Sequence, residues 1–191
     1  MGDMMILLVG KSGSGKSTVA DILTKEYGLS QIQSYTTRKP RYEGETGHIF
    51  VSEEEYAQIK DNDKVAETFF DGNHYCATTQ QIEENDVYVI DPAGVTALAK
   101  RYTGKKKFLV VYLSISKETR RERMYTRGDT SESIEERIVH DEKVFERNWS
   151  VPKSSTYMSI ITDNVEPQDI AEKIVTIKGG KPTPLGVGWI A

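Results

Sequence analysis

The stretch Gly10–Thr18, GKSGSGKST, constrains this chain more than any other. It meets the pattern G-x-x-x-x-G-K-[ST] through Gly10, Gly15, Lys16 and Ser17, between the apolar run Met4–Val9 and an amphipathic segment from Ser17 to Tyr27. Strand, glycine-rich loop and helix in that order make a phosphate cradle. Glycines let backbone N–H groups turn inward around phosphate oxygens, and the helix N-terminus adds partial positive charge. The loop residues Gly10, Ser12, Gly13, Ser14 and Gly15 are thus candidates to grip the triphosphate of ATP or GTP. Lys16 is expected to reach the β/γ-phosphates and Ser17 to offer its hydroxyl to Mg²⁺, with Thr18 beside it as a second hydroxyl.

Downstream, apolar residues Val19, Ile22, Leu23 and Tyr27 recur at helical spacing and Gly28 stops the helix. Leu29–Ser34 reads as a short strand and Ser34–Val51, polar and basic, as a loop. Ser52-x-x-Glu55 is a capping box opening a helix that turns Tyr56 and Ile59 inward. Lys64–Phe70 and Asn73–Thr78 flank Asp71-Gly72 and are expected to pair as a hairpin in a small second sheet. Helices are expected over Thr79–Glu84, Ala93–Arg101, Lys117–Tyr125, Ser133–Arg147 and Pro167–Ile177. Buried strands are expected over Val87–Ile90, Phe108–Leu113 and Tyr157–Thr162. Strands alternating with helices imply a parallel sheet covered on both faces. The tail 178–191 shows little periodicity and is read as flexible.

At 191 residues the chain fits one domain, and 37% hydrophobic with 28% charged residues is a globular composition. The net charge of −4 argues against a nucleic-acid polymer as partner, although basic residues cluster around Arg38–Arg41 and Lys117–Arg127. The single Cys76 excludes an internal disulfide, and Met4–Val9 is too short for a signal-peptide core. The expectation is a cytoplasmic protein that uses no membrane and works as a monomer or weak homodimer.

At Ser34–Val51 the chain resembles guanylate kinases, whose monophosphate-binding loop runs S-x-T-T-R-x-P-R-x-G-E-x-x-G-x-x-Y-x-F-V. Here Ser34, Thr36, Thr37, Arg38, Pro40, Arg41, Gly44, Glu45, Gly47, Phe50 and Val51 stand in that order. The similarity continues through Gly72-Asn73-His74-Tyr75, Asp91–Val95, Arg123-x-x-x-Arg127-Gly128 and Arg137-Ile138. The resemblance implies a P-loop NTPase-type α/β fold: a core over 1–33, 86–125 and 148–177, a mixed NMP-binding subdomain over 34–85 and a helical lid over 126–147. It implies transfer of the γ-phosphoryl of MgATP to GMP or dGMP. In that reading Arg38 and Arg41 clamp the acceptor phosphate, which guanidinium forks suit. Ser34, His48, Tyr75, Thr78 and Asp91 complete the acceptor site, and Asp91 is also a candidate for the metal's water shell. Tyr75 serves equally as a half-buried strand tyrosine. Arg123 joins the ATP site, while Lys16, Arg38, Arg127 and Arg137 steady the transferring phosphoryl. A plain charged helix face accounts for Arg120 and Arg121.

Base recognition departs from the family pattern. Glu67 is the candidate for the carboxylate that accepts from guanine N1–H and its amino group, but it stands one residue nearer Gly72 than the family spacing. A one-residue slip reverses the face of a strand. Two outcomes stay open: a compensating deletion keeps Glu67 inward, or it points to solvent and guanine selectivity is lost. The family tyrosine of Y-x-F-V is His48 here, a hydroxyl position is Ala77 with Thr78 next to it, and the strand end D-x-D is Val89-Ile90-Asp91. The alternatives are a same-fold kinase for another monophosphate or a phosphorylated sugar, and a non-catalytic phosphopeptide-binding module of this fold.

Overall fold

The computed structural model describes residues 4–40, 43–146 and 149–179. The expected flexible tail, 178–191, is corrected at its start, where Lys178 ends the last helix, buried and paired with Asp86; residues from 180 onward lie outside the described residues, as do Arg41 and its place in the expected phosphate clamp.

The chain runs β1 (Met4–Gly10), α1 (Lys16–Lys25), β2 (Ser34–Thr36), β3 (His48–Phe50), α2 (Glu53–Gln58), β4 (Thr68–Phe70) and β5 (Asn73–Cys76). It continues through α3 (Thr79–Glu84), β6 (Val87–Val89), α4 (Pro92–Arg101), β7 (Lys107–Ser114), α5 (Lys117–Thr126), α6 (Ser131–Phe145), β8 (Ser155–Ile161) and α7 (Pro167–Lys178). The main sheet has the order β6-β1-β7-β8, all parallel. Alternation along its strands feeds two cores. Ile6, Leu8, Leu109 and Val111 pack with Val19 and Leu23 of α1 and Ile170 and Ile174 of α7. Met5, Leu7, Val9, Phe108 and Val110 pack with Val95 and Leu98 of α4 on the other face. All five buried positions Met5–Val9 are 0% exposed, as a strand covered on both faces requires.

The strand expected over Leu29–Ser34 is corrected to a single parallel bridge, Gln31 to Val87. Leu29 and Ile32 are drawn into the two cores, and the chain then leaves this sheet for another. Ser34–Val51 is not loop throughout: it supplies β2 and β3, which pair in parallel. The second sheet, β3-β2-β5-β4, is mixed, since β5 runs antiparallel to both β2 and β4. Its hairpin closes at Asp71 (φ 48°) and Gly72 (φ 71°), the two left-handed residues that a tight primed turn requires.

The hairpin strands are shorter than expected because a β-bulge interrupts them. Thr68 pairs with Tyr75, but the next bridge joins Lys64 to Thr78, so Val65, Ala66 and Glu67 face only Cys76 and Ala77. The N–H groups of Val65 and Ala66 both donate to Ala77 O, at 3.0 and 3.5 Å. This bulge sets which side chains of the strand reach the cleft.

Candidate active site

A cleft of about 710 Å³ opens between the carboxyl ends of the main sheet and the second sheet. Ser12, Gly13, Gly15, Lys16, Ser17 and Thr18 line one side of it. β1 delivers the loop, and α1 starts at Lys16 with Gly15 as its N-cap at φ 90°, a conformation that favours glycine. No side chain caps the helix, so its first N–H groups are free to meet an anion, and the Ser17 and Thr18 side chains stand exposed beside them. Gly10 and Ser14 contribute from beneath: Gly10 O accepts from Lys16 Nζ at 2.7 Å, and Ser14 is buried.

Lys16 also donates to Lys11 O at 3.1 Å. Burial pushes its ammonium down to about 8, opposed by the Asp141 and Asp91 carboxylates and reinforced by Arg120 and Arg127.

Arg120 corrects the sequence reading. It is 1% exposed, not part of a solvated face. Its Nε donates to Ser12 O at 3.0 Å and its Nη2 to Asp141 Oδ2 at 2.5 Å, while Ser12 N–H donates to the same carboxylate oxygen at 2.7 Å. The pair thus holds both backbone groups of a loop residue against α5 and α6. Its signal in the sequence was positional: Arg120 precedes buried Met124 by one helical turn, and Asp141 follows Ile134 and Ile138 on the buried stripe of α6. Arg121 does sit on the outer face, paired with Glu135 at 2.7 Å.

Arg123, Arg127 and Arg137 all line the cleft. Arg123 donates to Thr162 O, just past β8, at 2.8 Å and weakly to Gly13 O of the phosphate loop at 3.4 Å, so the end of β8 anchors it beside the loop. Arg127 rests on Asp129 and Arg137 on Ser133 Oγ at 3.4 Å, both local partners that an incoming phosphate can replace.

Across the cleft stand Ser34, His48 and Tyr75, with Ser34 Oγ and His48 Nδ1 2.9 Å apart. Arg38 lies beside this group, outside the cleft lining. Glu45 grips it through two bonds of 2.9 and 3.1 Å and raises its pKa, with Tyr75 adding to that. Asp91 opens onto the cleft at the end of β6, where its Oδ1 accepts from Gly94 N–H at 2.6 Å and caps α4. Desolvation by the surrounding protein raises its pKa, with the α4 N–H groups pulling the other way.

Besides Arg38, two further expected acceptor residues fall outside the cleft lining. Thr78 is the N-cap of α3, accepting from Gln81 N–H in a capping box. Glu67, just before β4, lies outside the cleft lining, part-exposed but tied to the protein on both carboxylate oxygens. Its Oε1 accepts from Tyr56 OH at 3.2 Å and its Oε2 from Arg101 Nη1 at 2.9 Å. The residues that do face the cleft from this strand are Ala66, Thr68 and Phe70. The bulge and the period of two fix that assignment together. Phe70 also meets the His140 ring of α6 at 4.4 Å, closing the mouth of the cleft between the second sheet and the α5–α6 pair.

A family model described as "AAA domain" matches residues 6–144. The guanylate kinase of Helicobacter pylori is 34% identical over 149 residues, covering 71% of this chain and 70% of that protein. The guanylate kinase of Clostridium tetani is 30% identical over 189 residues, 91% of this chain and 84% of that protein. Among solved structures, a guanylate kinase from Anaplasma phagocytophilum has a TM-score of 0.58 at 20% identity, covering 95% of this chain and 87% of that one. A sugar kinase from Janibacter sp. has a TM-score of 0.51 at 13% identity, covering 91% and 92%. These two structures speak to the fold alone.

Proposed function

This chain belongs to the guanylate kinase family, and from that premise we propose that it transfers the γ-phosphoryl of ATP to GMP or dGMP, giving ADP and GDP or dGDP. One observation carries the reading. A single cleft holds the phosphate loop with Lys16 and the three arginines on one side, and Ser34, His48 and Tyr75 on the other.

In this mechanism the loop N–H groups and Lys16 hold the donor phosphates. Arg127 and Arg137 of the lid, residues 126–147, converge on the transferring group with Arg123, which is already anchored beside the phosphate loop. Phosphoryl transfer needs little covalent help from a protein, so positive charge and alignment supply the catalysis. The acceptor phosphate is already ionised, and no side chain need act as its base. The subdomain over 34–85 presents that phosphate, with Tyr75 and His48 as donors and the Arg38–Glu45 pair stiffening the wall behind them. Arg41 is its second guanidinium. Because Arg38 is held by Glu45, its part is to orient Tyr75.

Mg²⁺ fits the donor set: Ser17 and Asp91 are hard oxygen ligands on the cleft, and no group of three or more His, Cys, Asp or Glu among the described residues could cage the ion alone. It would therefore be held largely by the nucleotide's own phosphates, with Ser17 as ligand and Asp91 on its water shell, and would supply charge neutralisation of the β/γ-phosphates. ATP and the monophosphate are the partners. No helix among the described residues is long and apolar enough to cross a membrane, and the cytoplasm is the compartment we assign. The complete phosphate loop disfavours the phosphopeptide-binding alternative. The test is a coupled assay of the purified protein with MgATP and GMP, with Lys16→Ala as the inactive control.

A further inference from the structure

Resting on the kinase reading above, we infer that the acceptor site is tolerant of the base: AMP and IMP are phosphorylated alongside GMP, because no carboxylate from the second sheet reads guanine. Guanine differs from adenine in the N1–H and amino donors on its edge, and a carboxylate meets both at once. The strand that walls the acceptor half of the cleft offers instead the Ala66 methyl, the Thr68 hydroxyl and the Phe70 ring.

Glu67 cannot supply the missing group by a change of rotamer. It lies between two residues that face the cleft, so its Cβ leaves the opposite side of the pleat. Tyr56, 4% exposed, bonds one carboxylate oxygen and Arg101 the other, with Lys64 Nζ 3.8 Å away. Turning the side chain round would mean moving the bulge, whose Val65, Ala66 and Ala77 are each no more than 2% exposed. The Asp91 carboxylate does reach the cleft, but on the phosphate-loop side, where it caps α4 and feels Lys16.

What remains is permissive chemistry. A hydroxyl is donor and acceptor at once, so Thr68 can meet a guanine carbonyl or an adenine amino group equally. The Phe70 ring, exposed on the cleft, offers a face on which any base can stack. A site built to hydrogen-bond a substrate group rejects analogues lacking it by about 10⁴–10⁵, whereas an apolar pocket separates close analogues by only about 10–200-fold. This wall belongs to the second class.

The test is initial-rate kinetics of the full chain with saturating MgATP and GMP, IMP or AMP as acceptor. The expected ratio of kcat/KM for GMP over AMP is about 10², on the scale of apolar discrimination. A ratio below about 10³ upholds the inference, and a higher one, with brisk GMP turnover, overturns it while leaving the kinase reading intact. Turnover of none of the three overturns both. Glu67→Gln supplies an independent arm: the GMP/AMP ratio should change less than about tenfold, and a larger fall would show that Glu67 reads the base after all.

Discussion

The Arg120 guanidinium and the Asp141 carboxylate meet at 2.5 Å in the interior and together bind both backbone groups of Ser12. The phosphate loop, α5 and α6 are therefore fastened at one point, so the loop's shape and the lid's position are not independent. The side chains are 2% and 10% exposed. Removing one partner of such a pair strands the other charge, which costs about 3–5 kcal/mol. Arg120→Ala is expected to lower the unfolding free energy by that amount in denaturant melts and to raise KM for ATP. A loss below about 1 kcal/mol would class the pair with surface bridges.

Lys16 supplies a pH signature. Its ammonium is pushed down to about 8 by burial, so in the free enzyme it carries charge below that pH and loses it above. The ratio kcat/KM for ATP reports the free enzyme and should fall as pH rises through about 8. Bound phosphates favour the charged form, so kcat should hold to higher pH. Lys16→Ala should abolish turnover with an unchanged melting profile, and a flat kcat/KM profile from pH 7 to 9.5 would remove Lys16 from phosphate binding.

Arg127 and Arg137 lean on the local partners Asp129 and Ser133, and their proposed work is done in the transition state. An arginine on the transferring phosphoryl is worth about 10³–10⁵ in rate, so Arg137→Ala is expected to lower kcat by at least a thousandfold with a smaller change in KM. A rise in KM alone would make it a ground-state binding residue.

Much of this architecture could be read from the sequence. β1, the phosphate loop and α1 follow from a motif and two periodicities, and the buried strands β6, β7 and β8 announce themselves as apolar runs. The capping box at Ser52 was equally local. What escaped depends on contacts distant in the chain. Leu29–Ser34 has strand composition, yet the two cores capture Leu29 and Ile32 and leave one bridge. Arg120 looks like any arginine in a charged helix until Asp141, far along the chain, closes over it. The orientation of Glu67 hangs on one extra residue in a bulge, and side-chain alternation amplifies that residue into a change of face. The residue types of the site were thus legible, whereas the identity of the base-facing side chains was not.

Glu67 itself should behave as a structural residue. Its pair with Arg101 is part-exposed, the side chains 26% and 47% accessible, so breaking it by Arg101→Ala should cost no more than about 1 kcal/mol. Tyr56→Phe removes a hydrogen bond to the same carboxylate and should cost a further ~1 kcal/mol, read from the denaturation midpoint. Loss of several kcal/mol from either change would mean that this cluster, and not the main sheet, limits the stability of the domain.

The most direct measurement is the product balance in a reaction of purified protein, MgATP and GMP. ADP and GDP are expected in equal amounts, with no ADP release above background when GMP is left out. ATP turnover that ignores GMP, or protein that binds ATP yet forms no GDP, would contradict the proposed transfer.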